Sequence, residues 1–189
     1  PVKGLGLLPD GRVMSGDEYG HILTWDPNVE RAPSAHLRLP VRSIGWNLVD
    51  GGTSVVTVDE EGTVSRWHGD GWREREIVMR ISNGRVSVGG NCPLIAVDRR
   101  QAGVEVWDWK QRAMVRELAA PGAVVQRVAI VSADRILVAG NTGLQEWNVA
   151  TGQVARSAEG IATFFADAEG AAIVATARSQ TWMIDWRTG

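Results

Sequence analysis

Chemistry in this chain would have to be built from three histidines, His21, His36 and His68, one cysteine, Cys92, and the acidic run Asp59-Glu60-Glu61. Zinc ligation is served by His-x-x-His or Cys-x-x-Cys pairs that bring ligands onto one ion, and none of these residues has that spacing. There is no Gly-x-Ser-x-Gly elbow to raise a nucleophile and no loop of the kind that cradles phosphate. Cys92 precedes Pro93 and reads as a small buried hydrophobe, because a reactive thiol needs a neighbouring base. Asp59-Glu60-Glu61 reads as a solvated turn, although its charge would also suit a cation or a basic peptide. No catalytic, cofactor-binding or metal-ligating residue is therefore assigned, and no cofactor is expected.

These residues sit within a repeat. Gly20-His21-Ile22-Leu23-Thr24-Trp25-Asp26 returns as Gly62-Thr63-Val64-Ser65-Arg66-Trp67-His68, then as Gly103-Val104-Glu105-Val106-Trp107-Asp108 and Gly143-Leu144-Gln145-Glu146-Trp147-Asn148. A fifth copy aligns Ile184-Asp185-Trp186-Arg187-Thr188-Gly189 with Trp147-Asn148-Val149-Ala150-Thr151-Gly152. The anchors Trp25, Trp67, Trp107, Trp147 and Ile184 are then spaced by 42, 40, 40 and 37 residues. A period of about 40 with a Trp-Asp ending is the sequence mark of a propeller blade.

Each unit reads as four short strands. In the first these are Val2 to Leu8, Arg12 to Gly16, His21 to Trp25 and Ala35 to Leu39, with a turn at Pro9-Asp10-Gly11. The second uses Val41 to Leu48, Thr53 to Val58, Thr63 to Trp67 and Trp72 to Met79, with a turn at Asp50-Gly51-Gly52. Arg85 to Val88, Leu94 to Val97, Gly103 to Trp107 and Ala113 to Leu118 make the third. Val124 to Val131, Arg135 to Ala139, Gly143 to Trp147 and Gln153 to Arg156 make the fourth. The fifth has Ile161 to Phe165, Ala171 to Thr176 and Gln180 to Asp185, and lacks a fourth strand. The second strands, such as Ile136-Leu137-Val138-Ala139, are unbroken apolar runs that need cover on both faces. The fourth strands carry alternating charge, as in Arg73-Glu74-Arg75-Glu76, and belong at an exposed rim. No sustained 3.6-residue period appears, so no long helix is expected.

The chain resembles the WD-repeat family of β-propellers over all 189 residues. The resemblance rests on Trp25-Asp26, Trp107-Asp108 and Trp147-Asn148-Val149-Ala150-Thr151-Gly152. It implies an all-β propeller of four-stranded antiparallel blades, at about residues 1–40, 41–80, 81–121, 122–160 and 161–189, the last without its outer strand. The family's buried His-Asp-Ser/Thr-Trp network is largely missing: Tyr19, Glu61, Gln101, Asn141 and Arg178 stand six residues before the anchors, where the family favours aspartate. Propellers of this type use about seven blades to close, so these five read as part of a longer ring, completed by the rest of a longer chain or by another subunit.

Trp25, Trp67, Trp107 and Trp147 are expected to wedge between blades, and Trp46 to lie in the core. Trp72, Trp109, Trp182 and Trp186 fall outside those slots. Packing between blades is one reading of these four; the other makes them candidate protein-binding residues together with Arg73 and Arg75, since tryptophan and arginine dominate interface energetics. With 20 basic and 22 acidic residues and no block of like charge, the chain does not fit nucleic acid or an anionic membrane as partner. A single cysteine, no bilayer-length apolar run and no leader-like start point to a cytoplasmic, soluble chain. The resemblance implies a non-catalytic scaffold or sensor that binds a protein or peptide, part of a larger bacterial signalling protein. Asn148 to Gly152 and Asp185 to Gly189 also fit quinoprotein-like propellers, whose implication would be an enzymatic or cofactor-binding role.

Overall fold

The computed structural model describes residues 2–7, 11–17, 19, 21–29, 35–38, 43–52, 54–69, 72–99, 103–118, 124–161, 163–166, 172–177 and 180–186. The first sheet is β1 (Val2–Leu7), β2 (Val13–Asp17), β3 (His21–Trp25) and β4 (Ala35–Arg38). The second is β5 (Ser43–Val49), β6 (Ser54–Asp59), β7 (Thr63–His68) and β8 (Glu74–Arg80). The third is β9 (Arg85–Val88), β10 (Leu94–Asp98), β11 (Val104–Asp108) and β12 (Ala113–Leu118). The fourth is β13 (Val125–Ile130), β14 (Arg135–Gly140), β15 (Gly143–Asn148) and β16 (Gln153–Ala158). A three-stranded fifth sheet comprises β17 (Thr163–Ala166), β18 (Ala172–Ala177) and β19 (Gln180–Asp185). Every sheet is an antiparallel meander with its strands side by side in chain order. A short helical turn at Asp50–Gly52 stands where the sequence calls for a turn.

The chain forms two compact units, Pro1–Ile81 with two sheets and Ser82–Gly189 with three. Within the second unit, the unbroken apolar pattern of β14 has a direct cause. Ile136 and Val138 pack with Leu94, Val106 and Leu118 of the third sheet, while Leu137 and Ala139 pack with Phe164 and Trp186 of the fifth. Alternate side chains of one strand thus serve two neighbouring sheets, and no position is left for a polar residue. In the first unit Met14 and Ile22 of the first sheet meet Val55, Trp67 and Trp72 of the second. Trp46 packs against the same cluster and lies over Gly16, where an added Cβ would stand 2.5 Å from the indole nitrogen. Only glycine leaves room for that approach.

The second strands are the buried ones: β6 and β10 wholly, and β14 in all but Arg135. The fourth strands β8, β12 and β16 are mostly exposed. Their ladders share an irregularity, a register shift against Val64/Ser65, Val106/Trp107 and Glu146/Trp147. A bulge of this kind twists an outer edge and blunts its tendency to pair with another chain. The first strands carry a matching shift near their starts, at Val2/Gly4, Ser43/Gly45 and Val125/Arg127. The repeat is therefore more regular in its hydrogen-bond register than in its residues.

Candidate interaction surfaces and the polar framework of the repeat

The turn from second to third strand is organised by an aspartate eight residues before the anchor. Asp17 accepts hydrogen bonds at Oδ1 from the Tyr19 N–H (2.8 Å) and the His21 N–H (3.0 Å). Asp59 does the same for the N–H groups of Glu61 (3.0 Å) and Thr63 (2.8 Å). The anchor Trp25 donates from Nε1 to Ser15 Oγ, and Trp67 to Thr57 Oγ1, both at 2.9 Å. A turn carboxylate, a hydroxyl and the indole are thus present in the first two sheets, the aspartate standing two residues before Tyr19 and Glu61, where the resemblance places it. In the third and fourth sheets the indole finds a different acceptor, Glu105 for Trp107 and Gln145 for Trp147, each two residues earlier on the same strand. Gln101, Arg178 and the turn residues Pro9 and Asp10 lie outside the described residues.

The Trp-Asp ending has its own task in the turn that follows. Asp26 Oδ1 accepts from the Asn28 N–H, Asp108 Oδ1 from Lys110 and Gln111, and Asn148 Oδ1 from Thr151. Five residues after the anchor the backbone is left-handed in three sheets: Trp72 at φ 57, Arg112 at φ 56 and Gly152 at φ 69. Glycine adopts that conformation without strain, whereas a side chain costs about 1–2 kcal/mol.

Burial sorts the tryptophans differently from the sequence. Trp67 and Trp147 are enclosed at 6% and 8% exposure, but Trp25 is 37% exposed, so its ring is not wedged as expected. Trp72, Trp109 and Trp186 are buried, in keeping with the packing alternative that the sequence left open. Trp72 completes the core of the first unit, and Trp186 donates to Glu146 with the Arg156 guanidinium 5.7 Å from its ring centre. The Trp109 backbone N–H donates to the Pro93 carbonyl at 2.9 Å, and the Lys110 ammonium lies 5.4 Å from the Trp109 ring. Aromatic enrichment is an equally good signal for inter-sheet packing, and sequence alone does not separate the two roles. The Trp182 side chain lies outside the described residues. Arg73 is exposed, and Arg75 is exposed while resting 5.3 Å from the Trp67 ring centre and donating to Ser65 Oγ.

Glu105 accepts from three side chains, Ser82, Arg99 and Trp107. Arg116 reaches from β12 to the carbonyls of Val149 and Ala150 in the turn of the fourth sheet. Arg85 donates to the Gln126 carbonyl at 2.8 Å, joining the starts of β9 and β13. Burial pushes Asp17 up, but hydrogen bonds from the His21 ring and from the His21 and Tyr19 N–H groups outweigh it and hold the carboxyl below its usual value. Burial raises the Cys92 thiol, in keeping with a packed rather than reactive cysteine. Arg127 is lowered by desolvation. Among the described residues no group of three or more His, Cys, Asp or Glu side chains is placed to hold a metal, and no helix is long and apolar enough to cross a membrane.

No family model matches the chain. Over 69 residues it is 33% identical to Cilia- and flagella-associated protein 44 of Mus musculus, a match spanning 35% of this chain and 4% of that protein. Among solved structures it is similar to Chaetomium thermophilum Sqt1 bound to the N-terminus of the ribosomal protein L10, with a TM-score of 0.64 at 14% identity. That likeness covers 93% of this chain and 55% of Sqt1, so the chain spans about half the length of its structural relative. The fold is that of a WD40-like β-propeller.

Proposed function

We propose that the chain is a non-catalytic interaction module that binds a protein or peptide on a propeller face. The observation that carries this reading is the propeller fold shared with a structure in which Sqt1 is bound to a ribosomal protein segment. The internal polar groups support it, since Asp17, Asp59, Asp108 and Glu105 are engaged in turns and sheet contacts. As a scaffold or sensor the module would belong to a larger cytoplasmic signalling protein, bacterial by the sequence reading. Completion of its ring by further chain or another subunit fits the exposed Trp25 and the 78% exposed Met183 on β19. Arg73 and Arg75 remain exposed contact candidates.

The purified chain probed against a peptide array should bind one class of peptide saturably, confirmed by titration in solution. Visible absorbance from a co-purifying cofactor, with no peptide bound, would contradict the reading.

A further inference from the structure

We infer that Asn83-Gly84, on the loop from β8 to β9, is a site of spontaneous self-modification: the asparagine closes onto the glycine nitrogen, loses ammonia and is left as aspartate or isoaspartate. The inference is independent of the peptide-binding reading. Of the six asparagines, Asn28, Asn47, Asn83, Asn91, Asn141 and Asn148, only Asn83 is followed by glycine. With no Cβ on the next residue, nothing shields the nitrogen from the side-chain carbonyl, and the backbone is at its most permissive.

The loop leaves both reacting groups available. Asn83 is exposed, and its side chain makes no hydrogen bond among the described residues. The Gly84 N–H likewise bonds to no backbone group among the described residues. The other asparagines each differ at one of these points. At Asn28 and Asn148 the attacking nitrogen would be that of Val29 or Val149, and these N–H groups are held by the carbonyls of Asp26 (3.2 Å) and Asp134 (2.8 Å). The Leu48 N–H is bonded to Asn47 Oδ1, and Asn141 Oδ1 accepts from Val124. Asn91 is exposed as well, but the next residue, Cys92, carries a side chain.

The chemistry balances with water as the only co-reactant. The Gly84 nitrogen gives its proton to solvent and bonds to Asn83 Cγ; the Cγ–Nδ2 bond breaks, and the side-chain nitrogen leaves as ammonia. Water then opens the cyclic imide. Attack at Cγ restores the main chain and gives aspartate, whereas attack at the main-chain carbonyl gives isoaspartate, in which the chain runs through Cβ and Cγ. The second product lengthens the backbone where the fold has no slack. A Cβ on Gly84 would already run into the Asp98 carbonyl oxygen, and Arg85, the next residue, pairs with Asp98. Isoaspartate therefore loosens β9 at its start.

The test is incubation of the purified chain at neutral and mildly alkaline pH, followed by digestion and mass spectrometry, with isoaspartate methyltransferase and a labelled methyl donor marking isoaspartate. The peptide holding Asn83 should gain the mass of an amide-to-acid exchange several-fold faster than those holding Asn28, Asn91 or Asn148. It should do so faster at the higher pH, because the attacking nitrogen must lose its proton, and it should take up the methyl label. In Asn83→Gln, whose longer side chain would have to close a larger ring, that peptide should stay unchanged over the same time. Hydrogen exchange across Arg85–Val88 should be faster in the aged chain than in the fresh one, and unaltered in freshly prepared Asn83→Asp, which adds the charge without the longer backbone. An Asn83 that keeps its amide in the folded chain would overturn the inference, as would equally fast conversion at Asn28 or Asn91. Exchange as fast in Asn83→Asp as in the aged chain would overturn the loosening by isoaspartate.

Discussion

At the scale of single residues, burial decides what each tryptophan contributes. Trp67→Ala should cost about 3–5 kcal/mol in urea unfolding, because the ring is enclosed and its N–H is bonded to Thr57. Trp25→Ala should cost only about 1–2 kcal/mol, as its exposed ring removes less apolar area from water. At the left-handed position after the anchor, Arg112→Gly should raise stability by about 0.5–1 kcal/mol, relieved strain outweighing the added freedom of the unfolded chain. Gly152→Ala should lower it by a similar amount, since an added Cβ meets nothing closer than Arg116 Cδ at 3.4 Å and only the backbone conformation opposes it. The Asp17 carboxyl makes a pH prediction. Its folded value is depressed, so its contribution is present above the unfolded pKa, about 3.9, and is lost as pH falls through the lower folded value. Asp17→Asn should flatten the acid limb of a stability-against-pH profile, and an unchanged limb would contradict the role given to the turn.

At the scale of elements, the strands were legible because two patterns reinforce each other: unbroken apolar runs in second strands and charged alternation in fourth strands. β10 and β12 follow from those patterns to within a residue of their observed bounds. The polar framework was less legible, for a geometric reason. Asp17 and Asp59 close their turns from the last position of the second strand, so alignment on the third strand alone looks past them. The register shifts left no trace in composition, because the extra residue can be of any type; Gln126 and Val115 occupy such positions with nothing in common. Sequence left open whether Trp109 and Trp186 pack or bind, because a one-dimensional repeat does not say which neighbour a side chain faces. Gly16→Ala tests packing at this scale. Its Cβ would collide with the Trp46 ring, which is rigid, so the substitution should cost about 1–3 kcal/mol, read by thermal melting.

At the scale of the whole molecule, the repeat is an architectural unit: the anchors Trp67, Trp147 and Ile184 and the second strands β2, β6, β10 and β14 serve the join to a neighbouring sheet. Trp67 meets the first sheet, Trp147 the third and Ile184 the fourth. The most direct check of the repeated framework is hydrogen exchange, resolved by peptide, on the purified chain. Protection should peak in β6, β10 and β14, recurring about every 40 residues, with β8, β12 and β16 exchanging faster. Protection without that period, or strongest in the outer strands, would contradict a propeller built from repeated sheets.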